Sequence, residues 1–217
     1  MAHWIVAIDG PAAAGKGTLA RRLAAHLKLP YLDTGLLYRA VGRRVLDGGE
    51  SPSDAAAAER AARALRPADL DRSDLRGPEA DAAAAAVASV PAVRAALLAF
   101  QRDFGAANGA VLDGRDIGTV VFPAAKLKLF VIASLAARAH RRWLELRDRG
   151  LDADPAAVER DIRARDEQDA ARAIAPLRPA DDAVVIDTTT LDRDAAFAAV
   201  LKLAEARLGL ANSGPAD

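Results

Sequence analysis

The sequence contains no cysteine, and aromatic residues make up only 4% of its 217 residues. The lack of cysteine excludes disulfides, thiol catalysis and metal sites built on cysteine. No apolar run is long enough for a membrane span, and the N-terminus lacks the pattern of a secretory signal. We therefore expect a soluble, cytoplasmic protein with no membrane partner.

An excess of charge of either sign is missing as well. The chain has 30 basic and 30 acidic residues, so its formal net charge is zero. Without a positive excess there is no general attraction for nucleic acid, and we expect none as a partner. Hydrophobic residues make up 52% of the chain, which predicts a globular protein with a substantial core. We expect it to be a monomer.

The most informative stretch is a glycine-containing turn near the N-terminus. Residues 4–8 form a short apolar run typical of a buried parallel strand, and Leu19, Leu23 and Leu27 fall on one face of a helix. A strand, a glycine-rich turn and a helix in this order are the context of a phosphate-binding P-loop. The alternative is an ordinary strand-to-helix turn. The turn itself reads Gly10, Pro11, Ala12, Ala13, Ala14, Gly15, Lys16, Gly17, Thr18.

The chemistry of such a loop is electrostatic. Its backbone N–H groups and the helix N-terminus attract phosphate, and Lys16 would reach the β- and γ-phosphates of a nucleotide. Gly17 occupies the position where the usual pattern has serine or threonine, and Thr18 comes one residue later. Without a hydroxyl at position 17, we expect the loop to hold a metal ion less directly.

Strand patterns alternate with helical patterns along the chain. Short apolar strands are predicted at residues 4–8, 30–33, 110–112, 127–133 and 183–186. This order predicts an α/β fold, a five-stranded parallel sheet with helices on both faces. Residues 50–88 show no convincing strand pattern, and we interpret them as part of a helical insertion. Ligands bind at the carboxyl ends of parallel strands, where Asp33-Thr34-Gly35 and Asp113-Gly114-Arg115-Asp116 follow their strands.

Several arginines lie at or near this edge of the predicted sheet. Phosphoryl transfer between two nucleotides needs such residues, because the charge of both phosphate groups must be neutralised. An arginine on a helix is more often solvated surface. Arg115 is the exception, since it follows a buried strand between a glycine and an acid. The arginines are Arg39, Arg94, Arg115, Arg165 and Arg172.

Three acids near the same edge have two interpretations each. Asp113, at a strand end, either organises the water ligands of Mg²⁺ or caps a turn. Asp116 and Asp169 either accept hydrogen bonds from a base or sugar or form ion pairs with neighbouring arginines. The sequence alone does not separate these roles.

Taken together, these motifs resemble the bacterial-type cytidylate kinases, which belong to the nucleoside monophosphate kinase group of P-loop proteins. The P-loop alone is shared with many kinases, and the blocks starting at Asp113 and Arg172 are the specific ones. In this group Gly-Lys-Gly-Thr is the ordinary ending of the loop. The blocks that carry the resemblance are Ile8-Asp9-Gly10-Pro11 through Thr18, Leu32-Asp33-Thr34-Gly35 with Tyr38-Arg39, Asp113 through Pro123, Arg138-Ala139-His140-Arg141-Arg142, and Arg172-Ala173-Ile174-Ala175-Pro176-Leu177.

The resemblance implies transfer of the γ-phosphoryl group of ATP to CMP or dCMP with Mg²⁺, in pyrimidine nucleotide metabolism. It implies that residues 10–18 bind ATP phosphates and that Asp113 acts on the metal through water. The implied catalytic residues are Lys16, Arg115 and Arg165. For CMP, it implies that Arg39 and Arg115 bind the acceptor phosphate. It implies that cytosine is recognised by Thr34, Arg94, Asp116 and Arg172. It also implies that Arg165 and Asp169 lie near the pentose, and that Arg165 approaches the phosphates when a lid closes.

The same resemblance implies the domain organisation. The chain would be a single P-loop kinase domain with a core at about residues 1–38, 105–146 and 173–217. A monophosphate-binding insertion would cover about residues 39–104, and a mobile lid about residues 147–172. Closure of the lid would exclude water and limit wasteful hydrolysis of ATP.

This sequence departs from the family pattern at three places. Ala85 stands where relatives usually have a serine, which affects the preference between ribose and deoxyribose. The insertion lacks the strand-rich hairpin that is often present, and the lid has Gln168 and Ala170 where relatives often carry arginines. The alternatives that stay open are a P-loop kinase acting on AMP, UMP or a sugar acid, and a nucleotide-binding switch without useful turnover.

Overall fold

The computed structural model describes residues 4–172 and 174–210. They contain a five-stranded sheet, eight α-helices, one short 3₁₀ helix and one π-helical turn. The strands are β1 (Ile5–Asp9), β2 (Tyr31–Asp33), β3 (Ala110–Gly114), β4 (Leu127–Ile132) and β5 (Val184–Asp187). The helices are α1 (Lys16–Leu27), α2 (Thr34–Asp47), α3 (Ala55–Arg63), α4 (Pro78–Ala88), α5 (Pro91–Asn108), α6 (Leu135–Asp148), α7 (Pro155–Ala170) and α8 (Arg193–Leu208), with the 3₁₀ helix at Pro67–Asp71 and the π turn at Ile117–Val121.

The chain divides into two compact units. Unit 2 is Asp33–Ala107, and the described part of unit 1 is residues 4–32 and 108–210 without residue 173. The sheet has the strand order β2-β3-β1-β4-β5. Because β1 is the middle strand, it pairs in parallel with β3 on one side and with β4 on the other. The predicted five-stranded parallel α/β fold is confirmed, with strand ends shifted by one or two residues.

The core of unit 1 forms around β1. Val6, Ala7 and Ile8 are fully buried, as expected for a central strand covered on both faces. Helices α1 and α8 pack on this strand through aliphatic side chains such as Leu23 and Val200. Burying each of these side chains contributes on the order of 1.5–3 kcal/mol to the free energy of folding. This packing fixes the direction in which β1 delivers the chain to the following loop.

Helices α6 and α7 begin at residues whose side chains cap them. The Ser134 hydroxyl accepts a hydrogen bond from the Ala137 N–H at 3.2 Å, which caps α6. The Asp154 carboxylate accepts from the N–H groups of the next helix and precedes Pro155, a residue suited to the first helical position. The two helices then bury Val158 and Ile162 in a second, smaller apolar cluster. Local sequence signals therefore suffice to define this helical pair.

Unit 2 is helical. Residues 39–104 contain helices and no strand, so the strand-rich hairpin is absent, in agreement with the lack of a strand pattern at residues 50–88. A Cβ at Gly42 would lie 2.8 Å from the Ala83 Cβ, so α2 and α4 approach closely at this glycine. Over the described residues, no single helix is long and apolar enough to cross a membrane, and α4 with α5 pass that test only as a pair bent by 100°.

The turn after β1 depends on a glycine at its first position. Gly10 has φ +151°, and a Cβ built on it would lie only 2.1 Å from the carbonyl oxygen of Val131 in β4. Gly15, at the end of the same turn, has φ +90° but no atom within 4 Å of such a Cβ. Both glycines adopt a backbone conformation that residues with a side chain disfavour. Only at Gly10 would a side chain also collide with a neighbouring strand.

This difference predicts unequal effects of alanine at the two positions. Gly15→Ala should lower the free energy of unfolding by about 1–2 kcal/mol, the cost of an L-residue in the left-handed region. Gly10→Ala should cost more than about 3 kcal/mol, because its Cβ meets the backbone of a central strand that cannot move aside. Urea unfolding of both variants measures the difference. Equal losses would contradict the close contact with β4.

Candidate active site

The loop between β1 and α1 has the curled backbone that phosphate binding requires. Gly10, Ala13 and Gly15 all have positive φ values, at 151°, 59° and 90°. Helix α1 begins at Lys16, directly after this curl. The first N–H groups of a helix have no partner inside the helix, and the helix dipole adds positive charge there. The loop and helix together form a site for an anion.

Two side chains from elsewhere in unit 1 hold the loop by its carbonyl groups. The Thr188 hydroxyl, just after β5, donates to the Ala14 carbonyl at 3.0 Å. The Arg138 guanidinium, in α6, donates to the Ala12 carbonyl at 3.3 Å. Both bonds use carbonyl oxygens, and neither involves an N–H of the loop. These two bonds support the loop through its carbonyl oxygens and do not use the N–H groups that would bind an anion.

The lysine at the end of the loop lies over the turn. Its ammonium group donates to the Pro11 carbonyl at 3.3 Å and is partly buried. A lysine held in this way places a positive charge beside the helix N-terminus, where it adds to the field of the N–H groups. Thr18, the hydroxyl that follows Gly17, is exposed. The position of Lys16 agrees with a role in phosphate binding.

Asp113, at the end of β3, lies beside the loop. The Tyr31 hydroxyl donates to its Oδ1 at 2.8 Å, and a Cβ built on Gly17 would lie 3.6 Å from its Oδ2. The carboxylate therefore lies next to the position where many P-loops carry a metal-binding hydroxyl. Among the described residues there is no group of three or more His, Asp or Glu side chains that could hold a metal ion. This donor set fits Mg²⁺ bound through phosphates and water rather than in a protein cage.

A cluster of arginines surrounds one buried carboxylate at the junction of β3 and α7. The Arg115 Nε donates to Asp169 Oδ2 at 2.6 Å, and its Nη1 donates to the Gly114 carbonyl at 3.3 Å. The other carboxylate oxygen forms an ion pair with Arg172 Nη2. Only 2% of the Asp169 side chain is exposed. The structure thus joins three of the predicted site residues, Arg115, Asp169 and Arg172.

The electrostatics of this cluster favour a bound anion. Burial alone would raise the pKa of Asp169, but the positive charges of Arg115 and Arg172, with a smaller effect of Arg165, hold that pKa below its ordinary value. The carboxylate is therefore ionised at neutral pH. Three arginines around one carboxylate leave a local excess of positive charge. Such a site is suited to a phosphate or to the polar edge of a nucleotide.

Asp9, the last residue of β1, was not singled out as a functional candidate from the sequence. Its two carboxylate oxygens accept hydrogen bonds from the Ile117 and Gly118 N–H groups, both at 2.8 Å. Burial raises the pKa of Asp9 to about 6, against the lowering effect of the two backbone bonds, while the charge of Asp116 adds to the increase. The bonded N–H groups open the π turn that directly follows Asp116.

A second interaction that the sequence does not reveal joins α6 to α7. The two terminal nitrogens of Arg138 form a forked pair with the Asp166 carboxylate, at 3.0 and 2.7 Å. Arg138 is part of a block that carries the family resemblance, but Asp166 belongs to no motif. In the sequence, Asp166 is marked only by directly following Arg165, a predicted site residue. The pair links the helix that touches the loop to the helix that carries the arginine cluster.

Three of the predicted residues, Thr34, Arg39 and Arg94, belong to unit 2. Helix α2 begins at Thr34, which is buried, and Asp33 caps the helix by accepting from the Gly35 N–H at 3.0 Å. Arg39 donates from Nε to Asp81 Oδ1 at 2.9 Å.

Arg94 of α5 lies over the ring of Tyr38, the residue before Arg39 on α2, with 6.0 Å between its guanidinium carbon and the ring centroid. Asp81 and Ala85 are one turn apart on α4. Ala85, the residue that replaces the family's serine, therefore belongs to the same helix surface as the partner of Arg39. The structure thus groups Arg39 and Arg94 along one part of unit 2.

Comparison with known proteins identifies the family of this arrangement. A family model described as cytidylate kinase matches residues 6–206. The chain is 65% identical to a cytidylate kinase of Granulibacter bethesdensis over 193 residues, which cover 89% of this chain and 92% of that protein. It is 61% identical to the cytidylate kinase of Acidiphilium cryptum, with 92% and 94% covered.

A comparison of folds gives a more distant match. The crystal structure of an uncharacterized protein from Eubacterium ventriosum superposes with a TM-score of 0.55 at 16% identity, covering 95% of this chain and all of that one. This likeness concerns the fold alone. The match of the family model over nearly the whole chain and the high identity to the curated relatives agree with the phosphate-binding loop and with the arginine cluster that follows β3. The chain belongs to the cytidylate kinase family.

Proposed function

We propose that this protein transfers the γ-phosphoryl group of ATP to CMP or dCMP and so forms ADP and CDP or dCDP in pyrimidine nucleotide metabolism. The observation that carries the proposal is a second anion-binding arrangement in unit 1, at Arg115 and Arg172, in addition to the loop at residues 10–15. A protein that binds a single nucleotide has no need of the second arrangement. The cytidylate kinase relatives support a cytosine nucleotide as the acceptor.

The donor half of the reaction takes place at the loop after β1. The loop amides and the N-terminus of α1 bind the phosphates of ATP, and Lys16 neutralises charge at the β- and γ-phosphates. Asp113 would orient the water ligands of Mg²⁺, and the ion would supply positive charge to the phosphates of ATP. The protein forms no covalent bond to the phosphoryl group. Its contribution is to position the two nucleotides and to stabilise the negative charge that moves between them.

The acceptor half depends on arginines that are paired with carboxylates. Arg115 is paired with Asp169, and Arg39, which the family pattern assigns to the same phosphate, is paired with Asp81. A phosphate offers each guanidinium a more highly charged partner of similar shape. The carboxylates therefore keep the arginines ordered until CMP arrives. We assign the acceptor phosphate to Arg115 and Arg39.

Recognition of the nucleoside is assigned from the same pattern. Thr34, Arg94, Asp116 and Arg172 would read the base, and Arg165 and Asp169 would lie near the pentose. An ionised carboxylate has about four acceptor positions, so Asp169 can accept from a sugar hydroxyl while it stays paired with Arg172. Because Ala85 offers no hydroxyl to the pentose, we expect only weak discrimination between CMP and dCMP.

Residues 147–172 are proposed to act as a lid. They include α7, which carries Arg165 and the Asp166 partner of Arg138. Closure of such a segment excludes water, which would otherwise accept the phosphoryl group. We further propose that the protein acts in the cytoplasm as a monomer on free nucleotides. A net charge of zero is consistent with small nucleotides rather than nucleic acid as its partners.

Turnover with separate acceptors tests the proposal. ADP release from Mg-ATP is measured with CMP, dCMP, UMP and AMP, and we expect rapid turnover with CMP and dCMP only. Faster turnover with UMP or AMP would keep the kinase but overturn the assignment of cytosine. ATP binding without turnover on any acceptor would favour a nucleotide-dependent switch, and such a switch should also gain no thermal stability from CMP.

Removal of the loop lysine should abolish most activity. Lys16→Ala is expected to lower kcat by about 10²–10³, because a preorganised charge at the transferring phosphoryl group is lost. Steady-state kinetics with saturating CMP measures the effect. Lys202→Ala is the matched control, since Lys202 is an exposed lysine of α8 in the same unit, and it should be unchanged. Near-normal turnover of Lys16→Ala would contradict the assignment of the loop.

Loss of Arg115 should affect the two substrates unequally. Arg115→Ala is expected to raise the KM for CMP by about tenfold or more, the effect of removing one charge-assisted bond, with little change in the KM for ATP. Arg22→Ala is the control, because Arg22 is also paired with a carboxylate, that of Asp194, at 2.8 Å. Equal increases in both KM values would show that Arg115 does not belong to the acceptor side.

A further inference from the structure

Asp9 contacts the chain on both sides of Arg115 and Asp116. In the sheet, its backbone is in register with Gly114, the last residue of β3. Its side chain accepts the N–H groups of Ile117 and Gly118. Arg115 and Asp116 thus lie between Gly114 and Ile117, and Asp9 contacts both of these residues.

The turn after Asp116 needs an acceptor from outside. It is a π-helical turn of five residues, and Asp116, in the capping position, makes no side-chain bond to its N–H groups. Asp9 takes this capping role from a different strand, across 108 residues of sequence. A buried N–H group that is left without a partner destabilises the fold. The position of the turn therefore depends on the Asp9 carboxylate.

The site around this carboxylate is tightly packed. A Cβ added to Gly118 would lie 3.4 Å from Asp9 Oδ2 and 3.2 Å from the Lys128 Cδ. A methyl group at this position would touch the acid and would require the Lys128 side chain to shift by a few tenths of an ångström. The first residues of the turn therefore lie in close contact with Asp9.

We propose that Asp9 is a positioning residue for acceptor recognition, which sets the placement of Arg115 and Asp116 by anchoring the turn that follows them. That the acceptor is CMP or dCMP rests on the proposed function. The positioning role of Asp9 does not rest on it, because that role concerns any monophosphate that Arg115 and Asp116 bind. Asp9 makes no contact with the acceptor in this proposal and acts through its neighbours.

The two backbone hydrogen bonds favour the ionised form of Asp9, which burial disfavours. Burial raises its pKa to about 6, so an ionised carboxylate at neutral pH is held at a cost in stability. The charged groups that act on it are Asp116, which disfavours its ionisation, and Lys16, which favours it. A carboxylate can accept hydrogen bonds from both N–H groups of the turn with its two oxygens, whereas an amide of the same shape has only one oxygen that can accept.

The test is Asp9→Asn, which keeps the volume but can accept only one of the two bonds. We expect the KM for the preferred acceptor to rise about tenfold or more, because small displacements of binding groups have large kinetic effects, while the KM for ATP changes less than about twofold. Asp192→Asn is the matched control. Asp192 precedes α8 and accepts two backbone N–H bonds, from Asp194 and Ala195, but no proposed site residue lies beside it in the sequence. It should show no such split.

A double-mutant cycle tests the route through Asp116. Asp116→Ala should reduce the ratio of kcat/KM for CMP to that for UMP, and Asp9→Asn should reduce it as well. If Asp9 acts by placing Asp116, the double variant should lose no more discrimination than Asp116→Ala alone. Additive losses would overturn the proposal, as would an unchanged acceptor KM in Asp9→Asn, or an equal rise in the KM for ATP. If the wild type prefers another acceptor, the proposed function fails and the KM comparison on that acceptor still decides the role of Asp9.

One measurement needs no variant, in case Asp9→Asn does not fold. Amide hydrogen exchange of the wild-type protein is followed with and without CMP, or with the acceptor that it prefers. Binding at Arg115 and Asp116 should slow exchange at Ile117 and Gly118 at least threefold, because the bound residues and the anchored turn open together. Unchanged exchange at both amides under saturating acceptor would show that the turn is not coupled to recognition, which overturns the proposal.

Discussion

The contact between Gly10 and the carbonyl of Val131 is the constraint on which the site in unit 1 depends. It sets the point at which the chain leaves β1, and a side chain at this position would meet the backbone of β4 at 2.1 Å. The loop can then curl so that its amide groups and the start of α1 face one anion. Because β1 lies between β3 and β4, the same strand end also borders the residues that follow β3. The parallel pairing of β1 with β3 brings the loop after β1 and Arg115 to the same edge of the sheet.

Carboxylates neutralise part of the positive charge of the arginines. Arg115 and Arg172 share Asp169, Arg138 is paired with Asp166, and in unit 2 Arg39 is paired with Asp81. Arginines gathered for a phosphate repel one another when no phosphate is present, and the carboxylates offset this repulsion. They also hold the guanidinium groups in fixed orientations, which lowers the entropy lost on binding. The carboxylate and the phosphate compete for the same guanidinium group, so a phosphate must replace the carboxylate when it binds. A dianionic phosphate is a stronger partner for a guanidinium than a carboxylate, so this exchange favours substrate.

The parts of this arrangement that could be predicted from sequence are those with a local pattern. The strands, the loop at Gly10–Gly15 and the cap at Asp154 all follow from residues within a few positions of each other, and the structure confirms them. The helical character of residues 39–104 also follows from local propensity. The interactions that hold the site have no such pattern. Asp9 and Ile117 are 108 residues apart, and Arg138 and Asp166 are 28 apart. Composition and periodicity carry no information about which distant acid meets which donor, so these pairs emerge only when the sheet is assembled.

Asp9 connects the two halves of the site in a way that neither motif reveals. Its backbone directly precedes Gly10, where the donor loop starts, and its side chain anchors the turn after Asp116. A displacement of the loop would therefore be transmitted to the acceptor side through a single residue rather than through a chain of weak contacts. Both bonds are buried and short, at 2.8 Å, so little of such a displacement would be absorbed by solvent or by side-chain motion. Phosphoryl transfer requires the two nucleotides to be aligned within a fraction of an ångström. A rigid carboxylate between the donor loop and the acceptor turn meets this requirement at the point where β1 ends.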